Sequence, residues 1–340
     1  MAFFVSFRRP LHCGIRAFCA GSFAKHYVPA ISVACSGKKS QGSVGLLSSL
    51  DHSWETVEKR IRNTSQDSFF VSKRGEIGGA KELAVGVFDG VGGWEASGID
   101  VRSFSWGLSQ KTRENFEKQA KDGGTVVDAL KIGFQEVLGD KSIVGGGATA
   151  CLSQFCGGNG IIRVINLGDS GYSIYRNGSL LFRSNIPFDL RRDQEEGGKY
   201  IKNEVDEADV YNHQLKHGDV VLLSTDGILD NLFFEGIERV VTKTLVEAGI
   251  WLKSGQNILP CEGNVSKDQL LVAAQVSRHL VVSAKKNAQN TKIDTPFALE
   301  ARKHRFFYQG GKPDDITALV LIILDASLVT TLFPPSLFCV

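Results

Sequence analysis

Four short motifs each place an aspartate next to a run of apolar residues. They are Asp89-Gly90-Val91-Gly92-Gly93, Gly168-Asp169-Ser170, Ser224-Thr225-Asp226-Gly227 and Pro313-Asp314-Asp315-Ile316-Thr317. Because the apolar runs predict buried strands, each aspartate is expected at a strand end, where glycines allow backbone and ligand to approach closely. Clustered carboxylates are the hard oxygen ligands that Mg²⁺ and Mn²⁺ prefer. The sequence therefore predicts a metal-dependent hydrolase.

Hydrolysis of a phosphate ester is the reaction that such a cluster suits. The ester dianion repels nucleophiles, and two divalent cations would neutralise it, activate a water molecule and orient that water for in-line attack. Asp89, Asp226 and Asp314 would provide the ligating carboxylates, the Gly90 carbonyl a further oxygen, and Asp67 would orient coordinated water. Each motif alone is more typical of a turn or a helix cap, but four in succession indicate one site.

The elements that must position these residues are short strands and two helical blocks. Strands are predicted at 67–72, 83–88, 148–152, 161–167, 172–175, 219–224 and 316–324, and helices at 101–118, 125–138, 231–247 and 267–286. Hairpin signals link several strands directly, which favours an antiparallel two-sheet sandwich with helices outside over a doubly wound parallel sheet. Residues 183–217 are expected to form a long irregular surface segment, and 287–313 a loop.

From about residue 57 to 325, the chain resembles the metal-dependent protein phosphatases of the 2C type (PP2C), in the mitochondrial branch similar to the PTC7 phosphatases. The motifs that carry the resemblance are Gln66-Asp67-Ser68, Asp89-Gly90-Val91-Gly92-Gly93-Trp94, Gly168-Asp169-Ser170, Ser224-Thr225-Asp226-Gly227 and Asp314-Asp315-Ile316-Thr317. The Asp-Gly-Val-Gly-Gly-Trp string is specific to that branch. The resemblance implies a protein-serine/threonine phosphatase with an α+β fold: a single-domain, four-layer α/β/β/α sandwich of two mostly antiparallel sheets flanked by helices.

The same resemblance assigns roles to individual residues. It implies that Asp89 bridges two Mn²⁺ or Mg²⁺ ions, that the Gly90 carbonyl ligates one of them, and that Asp226 and Asp314 hold the other. Asp67 would bind through water. The remaining implied residues are Asp169 and Asp230, for a weaker third metal site, and Arg62, for phosphate.

The first fifty residues differ in composition from the rest of the chain. Residues 1–50 contain six basic and no acidic residues, together with serines and aromatics, which is typical of an organelle transit peptide. We therefore expect a mitochondrial presequence cleaved within 25–50, with a disordered tail as the alternative, and a phosphatase domain over 55–326. The apolar tail at 327–340 is not expected to span a membrane, because Asp325 and two prolines interrupt the apolar sequence, but peripheral membrane contact stays open.

These features also bound the partners. The matrix of mitochondria is the expected location, phosphorylated mitochondrial proteins are the expected substrates, and the chain is expected to be a monomer. No basic stripe interleaved with aromatics indicates a nucleic-acid partner. Seven scattered cysteines without paired spacing argue against a disulfide framework or a zinc site. Two other functions remain open: a phosphatase-fold docking protein with weak or no catalysis, and a metallohydrolase of small phosphoesters.

Overall fold

The computed structural model describes residues 25–40, 45–48, 58–59, 61–72, 75–77, 80–119, 123–187 and 205–329. The described strands are β1 Tyr27–Ser36, β2 Gly45–Ser48, β3 Ser68–Val71, β4 Gly75–Ile77, β5 Ala80–Phe88, β6 Ala150–Cys156, β7 Ile161–Leu167, β8 Gly171–Arg176, β9 Ser179–Arg183, β10 Asp209–Gln214, β11 Val220–Ser224, β12 Trp251–Ser254, β13 Asn257–Pro260 and β14 Ile316–Asp325. The described helices are α1 Val101–Gln119, α2 Val126–Gly139, α3 Asp226–Leu229, α4 Phe234–Glu247, α5 Lys267–Leu270, α6 Val272–Ala288 and α7 Pro296–Lys303.

Two large antiparallel sheets contain most of the strands. The first has the order β2-β1-β14-β11-β8-β9, and the second has the order β10-β7-β6-β5-β3, with β4 also paired to β5. The hairpin of β12 and β13 forms a separate two-stranded sheet. The strand that runs most completely through the core is β14, whose ten residues are all buried.

Apolar packing arranges these sheets and the helices in four layers. Side chains of both sheets, among them Val33 and Val164, form the central core between them. The outer face of the first sheet packs on α4 and α6, for example through Val276, and that of the second sheet packs on α1 and α2 through residues such as Phe104 and Leu130. The predicted α/β/β/α sandwich is therefore confirmed.

The predicted start of the domain at residue 55 is wrong. Strand β1 pairs with β14 along its whole length, from Tyr27 opposite Asp325 to Ser36 opposite Ile316, and Val33 is fully buried. A buried central strand needs no charged residues, so the lack of acidic residues here has a second cause besides targeting. Residues 1–24 lie outside the described residues, and their role as a presequence stays a prediction.

The predicted loops also contain regular structure. The irregular segment 183–217 includes the edge strand β10, whose alternating exposure left no apolar run to detect. The loop 287–313 includes α7, which begins with Thr295 as N-cap and a proline at its first turn, a start signal present in the sequence. The domain extends to Val329, which bridges to Val265, and residues 330–340 lie outside the described residues.

Two further expectations concern the cysteines and the membrane. Cys156 is disulfide-bonded, which the scattered spacing of the cysteines did not indicate, whereas Cys35, Cys151 and Cys261 are free. Over the described ranges, none of the helices combines the length and the hydropathy that crossing a membrane requires.

Candidate metal centre

Antiparallel pairing brings the predicted aspartates to one end of the sandwich. In the second sheet, Ser68 at the start of β3 lies opposite Phe88 at the end of β5, so Asp67 and Asp89 are neighbours. In the first sheet, the end of β11 lies beside the start of β14, where the Thr225 N–H donates to the Thr317 carbonyl (3.2 Å). This register places Asp226, just after β11, beside Asp314, just before β14.

Two contacts join the ends of the two sheets. The Thr225 hydroxyl donates to Asp67 Oδ2 (2.8 Å), and both groups are buried. The second contact is electrostatic: besides burial, the neighbouring Asp226 carboxylate raises the pKa of the Asp89 carboxyl. We call Asp67, Asp89, Asp226 and Asp314 the carboxylate cluster.

The backbone around Asp89 is held by Thr149. The Asp89 N–H donates to the Thr149 hydroxyl (3.0 Å), and the Thr149 N–H donates back to the Asp89 carbonyl (2.9 Å). A Cβ atom at Gly90 would lie 2.7 Å from Val101 and 2.8 Å from the Gln66 carbonyl, so only glycine fits there. The turn after β5 is thus fixed from both sides, and the Asp89 carboxylate with it.

The turn after β11 is equally crowded. A Cβ atom at Gly227 would lie 2.0 Å from the Asp315 carbonyl oxygen. The Asp315 carboxylate accepts from the backbone N–H groups of Lys38 and Gln66, the latter at 2.7 Å. Asp315 therefore ties the β1–β2 loop and the segment before β3 to the start of β14.

Burial and mutual repulsion destabilise the ionised form of the acids in the carboxylate cluster, and a bound cation would stabilise it. Burial, and then the neighbouring carboxylates, raise the pKa of Asp67 and of Asp89 well above the usual range. Burial and then Asp226 also raise the pKa of Asp314, an effect that Lys312 and Lys38 partly offset.

Lys312 lies within this group of acids. Its ammonium nitrogen is 2.6 Å from Asp226 Oδ2, 2.7 Å from Asp230 Oδ2 and 3.3 Å from Asp314 Oδ2. Within the part of the chain that the structure describes, no three acidic, histidine or cysteine side chains form a ready-made ligand set. Asp226, Asp230 and Asp314 surround the Lys312 ammonium, so the position between these three acids is already occupied by a cation.

The donor set nevertheless fits a divalent cation. Asp67 Oδ1 is buried and has no hydrogen-bond partner among the described residues, which is costly for a carboxylate oxygen. The cluster offers hard carboxylate oxygens and the Gly90 carbonyl, the donors that Mg²⁺ and Mn²⁺ take. Asp67, Asp89, Gly90, Asp226 and Asp314 would hold such ions.

Two cavities open beside the cluster. The larger, of about 620 Å³, has acids in its lining, among them Asp89 and Asp314. The same lining contains Lys38, Lys39 and Arg102, which we call the cationic rim. The second cavity, of about 570 Å³, contains Asp169, Asp226, Asp230, Arg183 and Phe297 in its lining. Lys312 lines both cavities.

The structure brings together most of the predicted site residues. Asp67, Asp89, Gly90, Asp226, Asp230, Asp314 and, across the second cavity, Asp169 all reach this end of the sandwich. Their roles as ligands stay a prediction. Arg62 does not reach it: the side chain is exposed and lines neither cavity, because the adjacent Ile61 takes the buried side of the short helical turn.

Sequence reasoning missed the cations of the site. Lys38 and Lys39 fall within the predicted presequence, and Lys312 stands two residues before Asp314 with a proline between them. That spacing is the signal that could have identified Lys312.

Known proteins resemble this chain over most of its length. No model of a known protein family matches it. The chain is 33% identical over 247 residues to the 5-azacytidine resistance protein azr1 of Schizosaccharomyces pombe, covering 70% of this chain and 76% of that protein. It is 33% identical over 276 residues to the protein phosphatase PTC7 homolog fig of Drosophila yakuba, covering 77% of each. Among solved structures, the photosystem II phosphatase PBCP matches with a TM-score of 0.58 and 19% identity, over 87% of this chain and 98% of that one, which shows a shared fold.

Proposed function

The chain belongs to the PTC7 branch of the PP2C-type protein-serine/threonine phosphatases, and we propose that it hydrolyses phosphoserine and phosphothreonine on mitochondrial proteins at the carboxylate cluster. The observation that carries the proposal is the meeting of four strand-end carboxylates from two sheets, joined by the bond between Thr225 and Asp67. Buried acids at such density need bound cations, and phosphate-ester hydrolysis is the chemistry that such cations serve.

In this proposal, Asp89, the Gly90 carbonyl, Asp226 and Asp314 would hold two Mn²⁺ or Mg²⁺ ions, and Asp67 would act through water. When bound, the ions supply charge neutralisation of the phosphoryl group and a nucleophile at neutral pH. The protein supplies the positions: Thr149 fixes the turn that carries Asp89, and the Thr225 hydroxyl fixes the orientation of Asp67.

The cationic rim would bind the substrate phosphate. Lys38, Lys39 and Arg102 face the same cavity as Asp89 and Asp314, so a phosphoryl group beside the carboxylates would lie within their electrostatic reach. This proposal moves the phosphate-binding role from Arg62 to the rim.

The mitochondrial assignment rests on residues 1–24 and on the strand that follows them. Arg8, Arg9 and Arg16 occur there without any acid, as in a matrix presequence. Because β1 begins at Tyr27 and pairs along all of β14, a presequence that leaves the phosphatase intact has to be removed before that residue. N-terminal sequencing of the protein recovered from mitochondria tests this; a mature end beyond Ser36 contradicts it.

The phosphatase proposal is tested by phosphate release from a phosphothreonine peptide with and without Mn²⁺. We expect metal-dependent turnover by the wild type and loss of at least about three orders of magnitude in kcat for Asp89→Ala. Mn²⁺ binding without turnover would favour a docking protein instead. Equal kcat/KM for the peptide and for p-nitrophenyl phosphate would favour a hydrolase of small phosphoesters.

A further inference from the structure

We infer that the Lys312 ammonium is a built-in cation of this centre, occupying the position between Asp226 and Asp230 so that the chain binds two divalent ions and excludes a third. The inference deepens the proposed metal-dependent function and rests on it. The family resemblance implies a weaker third site at Asp169 and Asp230, and the structure fills that place with a side chain of the protein.

The contacts of the ammonium match what a cation at this position would make. An ammonium group has three N–H donors, and three carboxylate oxygens, from Asp226, Asp230 and Asp314, lie within 3.3 Å of Lys312 Nζ. The ring of Phe297 on α7 lies 5.1 Å from the same nitrogen and adds a cation–π contact. Only 20% of the Lys312 side chain is exposed, so solvent screens these charges weakly.

The backbone of Lys312 is fixed to the turn that carries the acids. Its N–H donates to the Asn231 side-chain oxygen (3.0 Å), and the Asn231 amide donates to the Lys312 carbonyl (2.9 Å). The same amide also donates to the Gly227 carbonyl (3.0 Å), and Asn231 is buried. Because Asn231 follows Asp230 directly, the lysine and its acids move as one unit, unlike an exposed surface lysine that pairs by chance.

Charge decides between the ammonium and a third metal ion. A divalent ion between Asp226 and Asp230 would have to displace the ammonium from its two shortest contacts, of 2.6 and 2.7 Å, in a site partly removed from water, where like charges repel strongly. The contact with Asp314 is longer, 3.3 Å, so an ion held at Asp314 competes less directly with the ammonium. Asp169 lines the same cavity as Asp230 and would be a ligand of that ion, but Lys312 also lines that cavity and holds the acids. The third cation of the centre is therefore the Lys312 ammonium, a side chain of the protein, and not a bound metal ion.

The stoichiometry of Mn²⁺ binding to the full chain tests this inference, by isothermal titration calorimetry and by electron paramagnetic resonance of free Mn²⁺. We expect two ions in the wild type and three in Lys312→Met, with the extra ion bound at least about tenfold more tightly than any third ion in the wild type. Asp230→Asn should keep two ions, because Asp230 holds the lysine rather than a metal. The double variant Lys312→Met/Asp230→Asn should lose the extra ion. Lys303→Met, an exposed lysine paired with Glu300, is the matched control and should bind as the wild type does.

Each result has a defined consequence. Two ions in both the wild type and Lys312→Met, with equal affinity, overturn the inference and leave the proposed function intact. Loss of an ion in Asp230→Asn overturns it as well, and this variant decides the question if Lys312→Met does not fold, as judged by circular dichroism. A wild type that binds no Mn²⁺ rejects the proposed metal-dependent function and the inference together.

Discussion

The acids and the cations that line the larger cavity are held in different ways. The acids of the carboxylate cluster lie at the ends of buried strands, where the register of the two sheets fixes their positions. The cationic rim lies on the β1–β2 loop and on the first turn of α1, and Arg102 has 44% of its side chain exposed. Positions set by strand register tolerate little displacement, whereas exposed side chains on a loop or at the start of a helix have more room to adjust.

Because of this difference, substitutions in the cluster and in the rim should affect different kinetic constants. Substitutions in the carboxylate cluster change the groups at the reacting centre. They should reduce kcat, because strand register fixes the positions of these acids closely. Changes in the rim alter how the phosphate is held before reaction and should mainly raise KM.

Removing residues 1–48 should abolish folding, whereas removing residues 1–24 should not. The longer deletion takes away β1 and β2, which turns the buried strand β14 into an edge and exposes the side chains that pack between the sheets. Soluble yield and thermal unfolding followed by circular dichroism, in reducing buffer, measure the effect. If the longer deletion variant unfolded cooperatively at the wild-type melting temperature, β1 would not be needed for folding. The segment that carries Lys38 and Lys39 would then not be an integral part of the domain.

The turn that holds Asp226 should be the next most sensitive place. In Gly227→Ala the new methyl group would meet the Asp315 carbonyl at 2.0 Å, so the turn has to move. We expect a loss of about 2–4 kcal/mol in the free energy of unfolding and a large fall in kcat.

Gly236→Ala on α4 is the matched control for that substitution. Nothing lies within 4 Å of a Cβ atom at Gly236, so stability should be unchanged or raised by about 0.5 kcal/mol. Urea denaturation of both variants gives the comparison. Equal stabilities would show that the cluster's turn is not rigid.

The same contrast explains what the sequence could predict. Asp67, Asp89, Asp226 and Asp314 each adjoin an apolar run, so local patterns located them, and antiparallel pairing then accounts for their meeting. The two-sheet sandwich with helices outside followed from the succession of strands and helices, and the resemblance implied its four layers. The exact partners, such as Thr225 with Asp67, depend on contacts 158 residues apart along the chain, which no local pattern contains.

The rim could not be predicted in that way. Lys38 and Lys39 follow a strand without acids, and their composition resembles that of a targeting segment as closely as that of a core strand. Strand β10 escaped for a related reason, because an edge strand with one polar face lacks a continuous apolar run. Position relative to distant elements, rather than residue type, gives these segments their roles.

Neutralising the rim should weaken substrate binding without stopping the reaction. For Lys38→Met/Lys39→Met we expect KM for a phosphopeptide to rise about tenfold and kcat to stay within about twofold, with the difference shrinking at high salt. The substitution keeps the backbone bond from Lys38 to Asp315, so the loop itself stays anchored.

Arg62→Met is the control for the rim. Its side chain is exposed and lines neither cavity, so KM should not change. If Arg62→Met raised KM and the double lysine variant did not, the phosphate role would return to Arg62 and the rim would have no part in binding.

Substitution of Lys285 should have the smallest effect on KM, because Lys285 supports the loop that carries Lys38 and Lys39 and does not itself line the cavity. Its ammonium donates to the carbonyls of Gly37 (2.7 Å) and Lys38 (3.1 Å), so it holds the β1–β2 loop against α6. In Lys285→Met the loop loses this support while Asp315 still holds the Lys38 N–H, and KM should rise about two- to threefold with kcat unchanged. The exposed neighbour Lys286→Met should leave both constants as they are. A fall in kcat for Lys285→Met would mean that the loop also positions the carboxylate cluster through Asp315, and the cluster and the cationic rim would then depend on each other for their positions.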